Sequence, residues 1–344
     1  MSAPVLNAAR HLATRAPSFI DKVASRAARA PECLDRVTSR AGRAYFDAAA
    51  SLATRAAEYV EGIAAMGENV VIDWTSIGNG LPGDDLEEWD PDYIRRTLPI
   101  LGPLFRAYFR AQVRGLEKIP PAGPVLLVGN HSGGTTIPDT FVFTMAFYEH
   151  FGANRRFHQL AHDVAARMPG LGIRPYGTVR ASHENAMGAF ERDAAVLVYP
   201  GGEYETFRPT WHSDQVEFGG RQGFIRLALE ANVPVVPVVA IGGQETGLFL
   251  TRGQRAARAL KLDRLTRIKV LPVAVGPPLG VNVLDLPLRW PIPAKITIEV
   301  LPPIDLEDRF GSEPDTEDVY DELTGEMQDA LSALARERTA PVIG

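Results

Sequence analysis

From residue 124 onward the apolar positions come in short continuous runs instead of stripes. PVLLVG, AAVLVYP and VPVVPVVAIG are rich in Val, and each is bounded by Gly or Pro. Runs of that length and composition predict strands buried on both faces of a sheet. Between them, TFVFTMAFYEH, HENAMGAFERD and GRQGFIRLALEAN carry helical patterning. Strand alternating with helix predicts an α/β fold with a mostly parallel central sheet flanked by helices. KITIEVL reads as a late strand, and residues 314–338 as a terminal helix, acidic first and basic last.

Upstream the pattern differs. Residues 1–66 are Ala-rich and helix-prone, and GNGLPGDDLEEWDPD places Gly, Pro and Asp at turn positions. The chain therefore divides into a helical N-terminal extension with its linker, residues 1–96, and a main domain, residues 97–344. The main domain opens on TLPILGPLFRAYFRAQVRG, an apolar and aromatic segment whose Arg106, Arg110 and Arg114 are four residues apart. That spacing predicts three arginines on one helical face. Such a helix suits a membrane interface, with its arginines at lipid headgroups, and equally suits a cap on the core.

Composition narrows the partners. The 344 residues are 45% hydrophobic and 23% charged, as in an ordinary globular chain with a large core. The net charge of -6 argues against a nucleic-acid partner. Cys33 is alone, so no internal disulfide forms and a reducing compartment such as the cytoplasm is the simple expectation. No apolar run approaches the ~18 residues of a membrane-spanning helix, and the start lacks the apolar core of a secretory signal. Its Arg- and Ala-rich character leaves an organelle transit peptide open. Positive charge is concentrated locally. Residues 1–60 hold nine Lys/Arg against five Asp/Glu, with Arg26, Arg29, Arg36, Arg40 and Arg43 at roughly helical spacing. Residues 248–269 hold seven basic residues and one acid, with Trp290 downstream as a candidate interfacial anchor. Both segments read either as solvated faces or as surfaces for an anionic membrane.

The candidate chemistry lies in VGNHSGGTTIPD, residues 128–139, which follows a predicted strand and precedes a predicted helix. His131 can take a proton near neutral pH, and a carboxylate on one ring nitrogen fixes its tautomer and leaves the other nitrogen as a base. Asp139 is eight positions on. Two glycines allow a tight fold between them, and Thr136 is a candidate helix cap that would bring Asp139 back to the strand end. Ser132 lacks a Gly-x-Ser-x-Gly elbow, so the expected chemistry is base catalysis: His131 deprotonates a hydroxyl that attacks an activated acyl group. A structural His–Asp hydrogen bond is the plainer alternative. AAVLVYPGGEYETFRP repeats the layout, with Gly201, Gly202, Glu203, Glu205 and Arg208 after a strand. His158 and His162 have a zinc-like spacing, but they fall in a stretch that reads as strand, and no metal is expected.

Four blocks in order, over about residues 115–305, resemble the acyl-CoA:glycerolipid acyltransferase superfamily. NHSGGTTIPD resembles its first block, GTVRAS its second, YPGGEYE its third and VPVVPV its fourth. The resemblance implies that His131 is general base and Asp139 its orienting partner, that Arg180 meets the acceptor headgroup or CoA phosphate, and that Gly201 and Gly202 supply oxyanion donors. Glu203, Glu205 and Arg208 join them as substrate-binding candidates. It also implies acyl-CoA as co-substrate with no further cofactor, a lipid acceptor, and a peripheral place on an anionic membrane. Two departures stand out. The family spaces His and Asp by four residues, whereas seven lie between His131 and Asp139. Gly201 replaces the third block's usual Glu, and no Arg follows within four residues of Gly202. Both lean away from a phosphate-bearing acceptor, toward neutral-lipid branches. A non-catalytic lipid-binding protein and a hydrolase acting on acyl-CoA or lipid are the competing classes.

Overall fold

The computed structural model describes residues 86–162, 173–259, 269–277, 280–283, 285, 289–340 and 342. The helical reading of residues 1–66, Cys33 and the middle of the basic segment 248–269 lie outside the described residues. Residues 253–290 group apart from residues 78–252 and 291–344, which form the larger unit.

In the larger unit, helix α1 (Pro91–Tyr108) leads into strand β1 (Gln112–Arg114). Then follow β2 (Val125–Gly129), α2 (Pro138–Phe151), β3 (Phe157–Ala161), β4 (Thr178–Arg180), α3 (His183–Phe190) and β5 (Ala195–Val198). Next come α4 (Gly202–Thr206), α5 (Gly223–Ala231), β6 (Val235–Ile241) and β7 (Leu248–Thr251). In the smaller unit, α6 (Gln254–Ala259) precedes an antiparallel pair, β8 (Val273–Gly276) and β9 (Gly280–Val283). The larger unit ends with β10 (Thr297–Val300), α7 (Leu306–Phe310) and α8 (Thr316–Glu337).

Seven strands form one sheet in the order β1-β10-β6-β2-β5-β3-β4. Every neighbouring pair is parallel except β10 against β6, so the sheet is mostly parallel, as the Val-rich runs predict. Successive side chains of a strand point to opposite faces. Leu126, Val128, Val196, Val235 and Val239 accordingly pack on one side with α3, α5 and α8. Val125, Leu127, Ala195, Leu197, Val236 and Val238 pack on the other with α1 and α2. The helices cover both faces, which is why the strand sequences are apolar without alternation.

The arginine expectation on α1 is corrected. The helix ends at Tyr108, Arg110 turns left-handed at φ 44°, and Arg114 lies in β1. Arg106 pairs with Glu149, Arg110 donates to the Val342 carbonyl, and Arg114 pairs with Glu337. The helix also starts inside the stretch read as linker. Asp90 caps it by accepting from the N–H groups of Asp92 and Tyr93, with Pro91 at the first position. The helix covers the core through Ile94, Leu98, Leu101 and Phe105, while Ile100 and Leu104 are exposed. The reading of the segment as a cap on the core therefore holds for its buried face.

Candidate active site

β2, β5, β3, β4 and β6 run parallel, so their carboxyl ends share one edge of the sheet. Ligands of open α/β sheets bind outside such an edge. β2 and β5 are in register with Val128 opposite Val198, which brings the loops starting at Gly129 and Tyr199 side by side. Asn130 extends the join of β2 to β6 beyond the end of β2. Its carboxamide donates to the Ala240 carbonyl at 2.9 Å and accepts the Ala240 N–H at 2.7 Å.

The loop then folds back. Gly133 has φ 91°, and a Cβ there would come within 2.3 Å of the Pro138 ring, so the return needs glycine. Thr136 is not the cap expected of it. Its hydroxyl donates to the Gly133 carbonyl, and the residue before the helix is Ile137, left-handed at φ 35° and without a side-chain cap. A β-branched residue in that region carries backbone strain.

The fold-back brings His131 and Asp139 together, with Nδ1 3.2 Å from Oδ2. The same oxygen accepts the Ser132 N–H at 2.8 Å and the Ser132 hydroxyl at 3.1 Å; Oδ1 accepts the Thr140 N–H at 2.8 Å. The Asp139 side chain is 1% exposed and that of His131 12%, so the carboxylate is enclosed while the imidazole reaches the surface. Among the described residues nothing hydrogen-bonds to His131 Nε2. This is the tautomer-fixing arrangement in which one ring nitrogen is held and the other is available as a base.

The second loop supports the first from below. Glu205 Oε2 accepts the His131 N–H at 2.9 Å, and Oε1 accepts the Glu217 N–H at 2.9 Å. The Arg208 guanidinium donates to the carbonyls of His131 (2.6 Å), Glu205 (3.1 Å), His212 (3.0 Å) and Ser213 (3.3 Å). Glu205 and Arg208, expected at the substrate, are instead fully enclosed. Their polar atoms are taken up by loop backbone, so they hold His131 from behind. Burial pushes the Glu205 carboxyl up to about 7, against the pull of Arg208 and the His131 N–H. Gln244 completes the clamp, accepting the Gly133 N–H at 3.1 Å and donating to the Arg208 carbonyl.

The glycines of the third block are also re-described. The Gly202 N–H donates to the Tyr199 carbonyl at 3.0 Å, which commits it to the turn and not to an oxyanion. The Gly201 carbonyl accepts from Arg221 at 2.7 Å, and Arg221 also pairs with Glu203 at 3.2 Å. Arg180 ends β4, three strands from β2 in the sheet order. At the usual strand spacing that is roughly 14 Å along the edge. It can meet a distant part of a substrate, not the hydroxyl at His131. His158 is buried in β3 with Nδ1 3.2 Å from the Gly177 carbonyl, and burial lowers its pKa to about 4. His162 lies four positions on from His158, just past the end of β3, about 13 Å along an extended chain and too far to share a metal ion.

Tyr199 carries no role in the sequence reading. Its ring stacks on His131 with centroids 4.1 Å apart and planes 13° from parallel, and its hydroxyl accepts from Thr140 Oγ1 at 3.0 Å.

Residues 110–241 match the model of the Acyltransferase family. An uncharacterized protein of Mycobacterium tuberculosis is 28% identical over 236 residues, 68% of this chain and 63% of that protein. The match thus spans less than two thirds of that relative. A human protein named "DGAT1/2-independent enzyme synthesizing storage lipids" is 27% identical over 151 residues, 43% of this chain and 45% of that one. The crystal structure of a 1-acyl-sn-glycerophosphate acyltransferase, PlsC, from Thermotoga maritima superposes with a TM-score of 0.46 at 16% identity, covering 73% of this chain and 83% of the other.

Proposed function

We propose that the chain belongs to the acyltransferase superfamily, whose family model matches residues 110–241, and that it transfers a fatty acyl group from acyl-CoA to a hydroxyl of a glycerolipid or a related lipid. The observation that carries this reading is the His131–Asp139 pair at the carboxyl edge of the sheet, with Nε2 left open. In the proposed step, Nε2 takes the proton of the acceptor hydroxyl as its oxygen attacks the thioester carbonyl. Asp139 stabilises the imidazolium that forms. The tetrahedral intermediate collapses to ester and CoA thiolate, and the imidazolium returns its proton to the thiolate. A positioned base of this kind supplies roughly 10²–10⁴-fold in rate. Arg180, some strands away along the edge, is assigned to the CoA phosphates or to the acceptor headgroup.

For the acceptor we favour a neutral glycerolipid. Gly201 stands where the family carries Glu, and the enclosed Arg208 has its donors turned to backbone carbonyls. The storage-lipid name of the human relative supports the same choice. A peripheral place on an anionic membrane belongs to this proposal. No helix among the described residues is long and apolar enough to cross a membrane. Ile100 and Leu104 stand out on α1 at 70% and 57% exposure, with Arg95, Arg96 and Arg106 exposed on the same helix.

The test is CoA release from palmitoyl-CoA by the full chain. It is run without acceptor and with lysophosphatidate, monoacylglycerol or diacylglycerol, each beside His131→Ala and Asp139→Asn. Release that depends on a mono- or diacylglycerol and falls at least ~10²-fold in His131→Ala is the expected outcome. Release of free fatty acid without acceptor would make the protein a hydrolase. Wild-type turnover in His131→Ala would sink the mechanism.

A further inference from the structure

Tyr199 closes a ring of contacts around the base. His131 bonds Asp139, the next residue Thr140 bonds the Tyr199 hydroxyl, and the Tyr199 ring returns to lie flat on the His131 imidazole. The sheet register makes this possible. Tyr199 follows the last residue of β5 and stands beside Gly129, the last residue of β2. A Cβ on Gly129 would lie 2.6 Å from Tyr199 Cε1, so the ring crosses the strand end over a position that has no side chain. Resting on that gap, it reaches forward to residue 131.

The Asp139 hydrogen bond restrains the imidazole only within its plane. It leaves the ring free to tilt about the Nδ1–Oδ2 direction, which would swing Nε2 away from an acceptor hydroxyl. A flat aromatic face at 4.1 Å removes that freedom. We propose that Tyr199 is a positioning residue for His131, acting through its ring face and not through its hydroxyl. The missing side chain at Gly129 lets the Tyr199 ring lie in that plane. The same face is well suited to the imidazolium that forms as the base takes its proton, since aromatic faces attract cations. Burial and the nearby Asp139 carboxylate hold the Tyr199 hydroxyl well above its ordinary range, so the ring stays neutral throughout. This inference rests on the acyl-transfer reading of His131.

The separating experiment is steady-state kinetics of acyl transfer for wild type, Tyr199→Phe, Tyr199→Met and His131→Ala, with thermal melts alongside. Tyr199→Phe keeps the face and is expected within about threefold of wild type. Tyr199→Met keeps volume without a plane and is expected to lower kcat by about 10- to 100-fold with KM held, as misplacement of a catalytic group does. A residue needed only for packing would lower the melting temperature of both variants and leave kcat per folded molecule unchanged. If Tyr199→Met does not fold, Gly129→Ala keeps the tyrosine but displaces its ring, and the same loss of kcat is expected. A folded Tyr199→Met or Gly129→Ala with wild-type kcat overturns the inference while leaving the acyltransferase reading intact. An inactive wild type overturns both.

Discussion

Glu205 illustrates how a charged residue in an apparently functional motif can be turned inward. Its carboxyl is enclosed beside Arg208 and accepts two backbone N–H groups, one of them from His131. Burial raises its pKa from 4.5 to about 7. A raised carboxyl pKa means that between pH 4.5 and 7 the folded protein keeps a proton that the unfolded chain has released. Stability therefore falls as pH rises through that window, by roughly 1.4 kcal/mol per pH unit at most, and the loss is complete above it. Urea unfolding at pH 5 and pH 8 is expected to show wild type losing stability relative to Glu205→Gln, whose side chain has no proton to release. Parallel pH profiles for the two proteins would show that Arg208 keeps Glu205 ionised throughout. The motif YPGGEYETFRP revealed acids and an arginine after a strand, but not which way they face. Facing is decided by Glu217, His212 and Ser213, whose backbone groups close around the pair.

Among the elements, those with local signals were legible. The Val-rich strands follow from burial on both faces, and helices α2, α3, α5 and α8 from their period. The closeness of His131 and Asp139 was legible too, because both flank one glycine-rich loop between a strand and a helix. Contacts that depend on register were not. Asn130 reads as an ordinary loop residue until β6 is seen to run past the end of β2, where its carboxamide continues the ladder to Ala240. Tyr199 is likewise silent until β5 is laid beside Gly129. The arginine spacing misled because four-residue periodicity has meaning only while a helix continues, and α1 stops at Tyr108. Asn130→Ala leaves a buried N–H and a buried carbonyl of Ala240 without partners. A cost of roughly 1–3 kcal/mol is expected for such groups, read as a lower melting temperature by circular dichroism. A change within ~0.5 kcal/mol would mean that the β2–β6 join does not need the side chain.

For the whole molecule, the proposed activity raises the question of how a lipid would reach His131. The exposed Ile100 and Leu104, beside the arginines of α1, are proposed to face an anionic membrane surface. Replacing both with Glu is expected to weaken cosedimentation with vesicles containing phosphatidylserine by about tenfold or more, given the apolar area withdrawn from lipid. Turnover of a dispersed short-chain substrate is expected to remain at the wild-type level. Unchanged vesicle binding would remove α1 from the membrane face.

The strands that bear the candidate chemistry all lie within residues 110–241, yet one face of their sheet is roofed from further along the chain. Leu323, Met327, Leu331 and Leu334 of α8 sit buried against the cluster formed by Val128, Val196 and Val239. On the same sheet, β10 pairs along β6 and would otherwise leave it an open edge. Residues 110–241 thus carry the candidate site without enclosing it: the stiffness of its loops is borrowed from α8 and β10, which lie later in the chain.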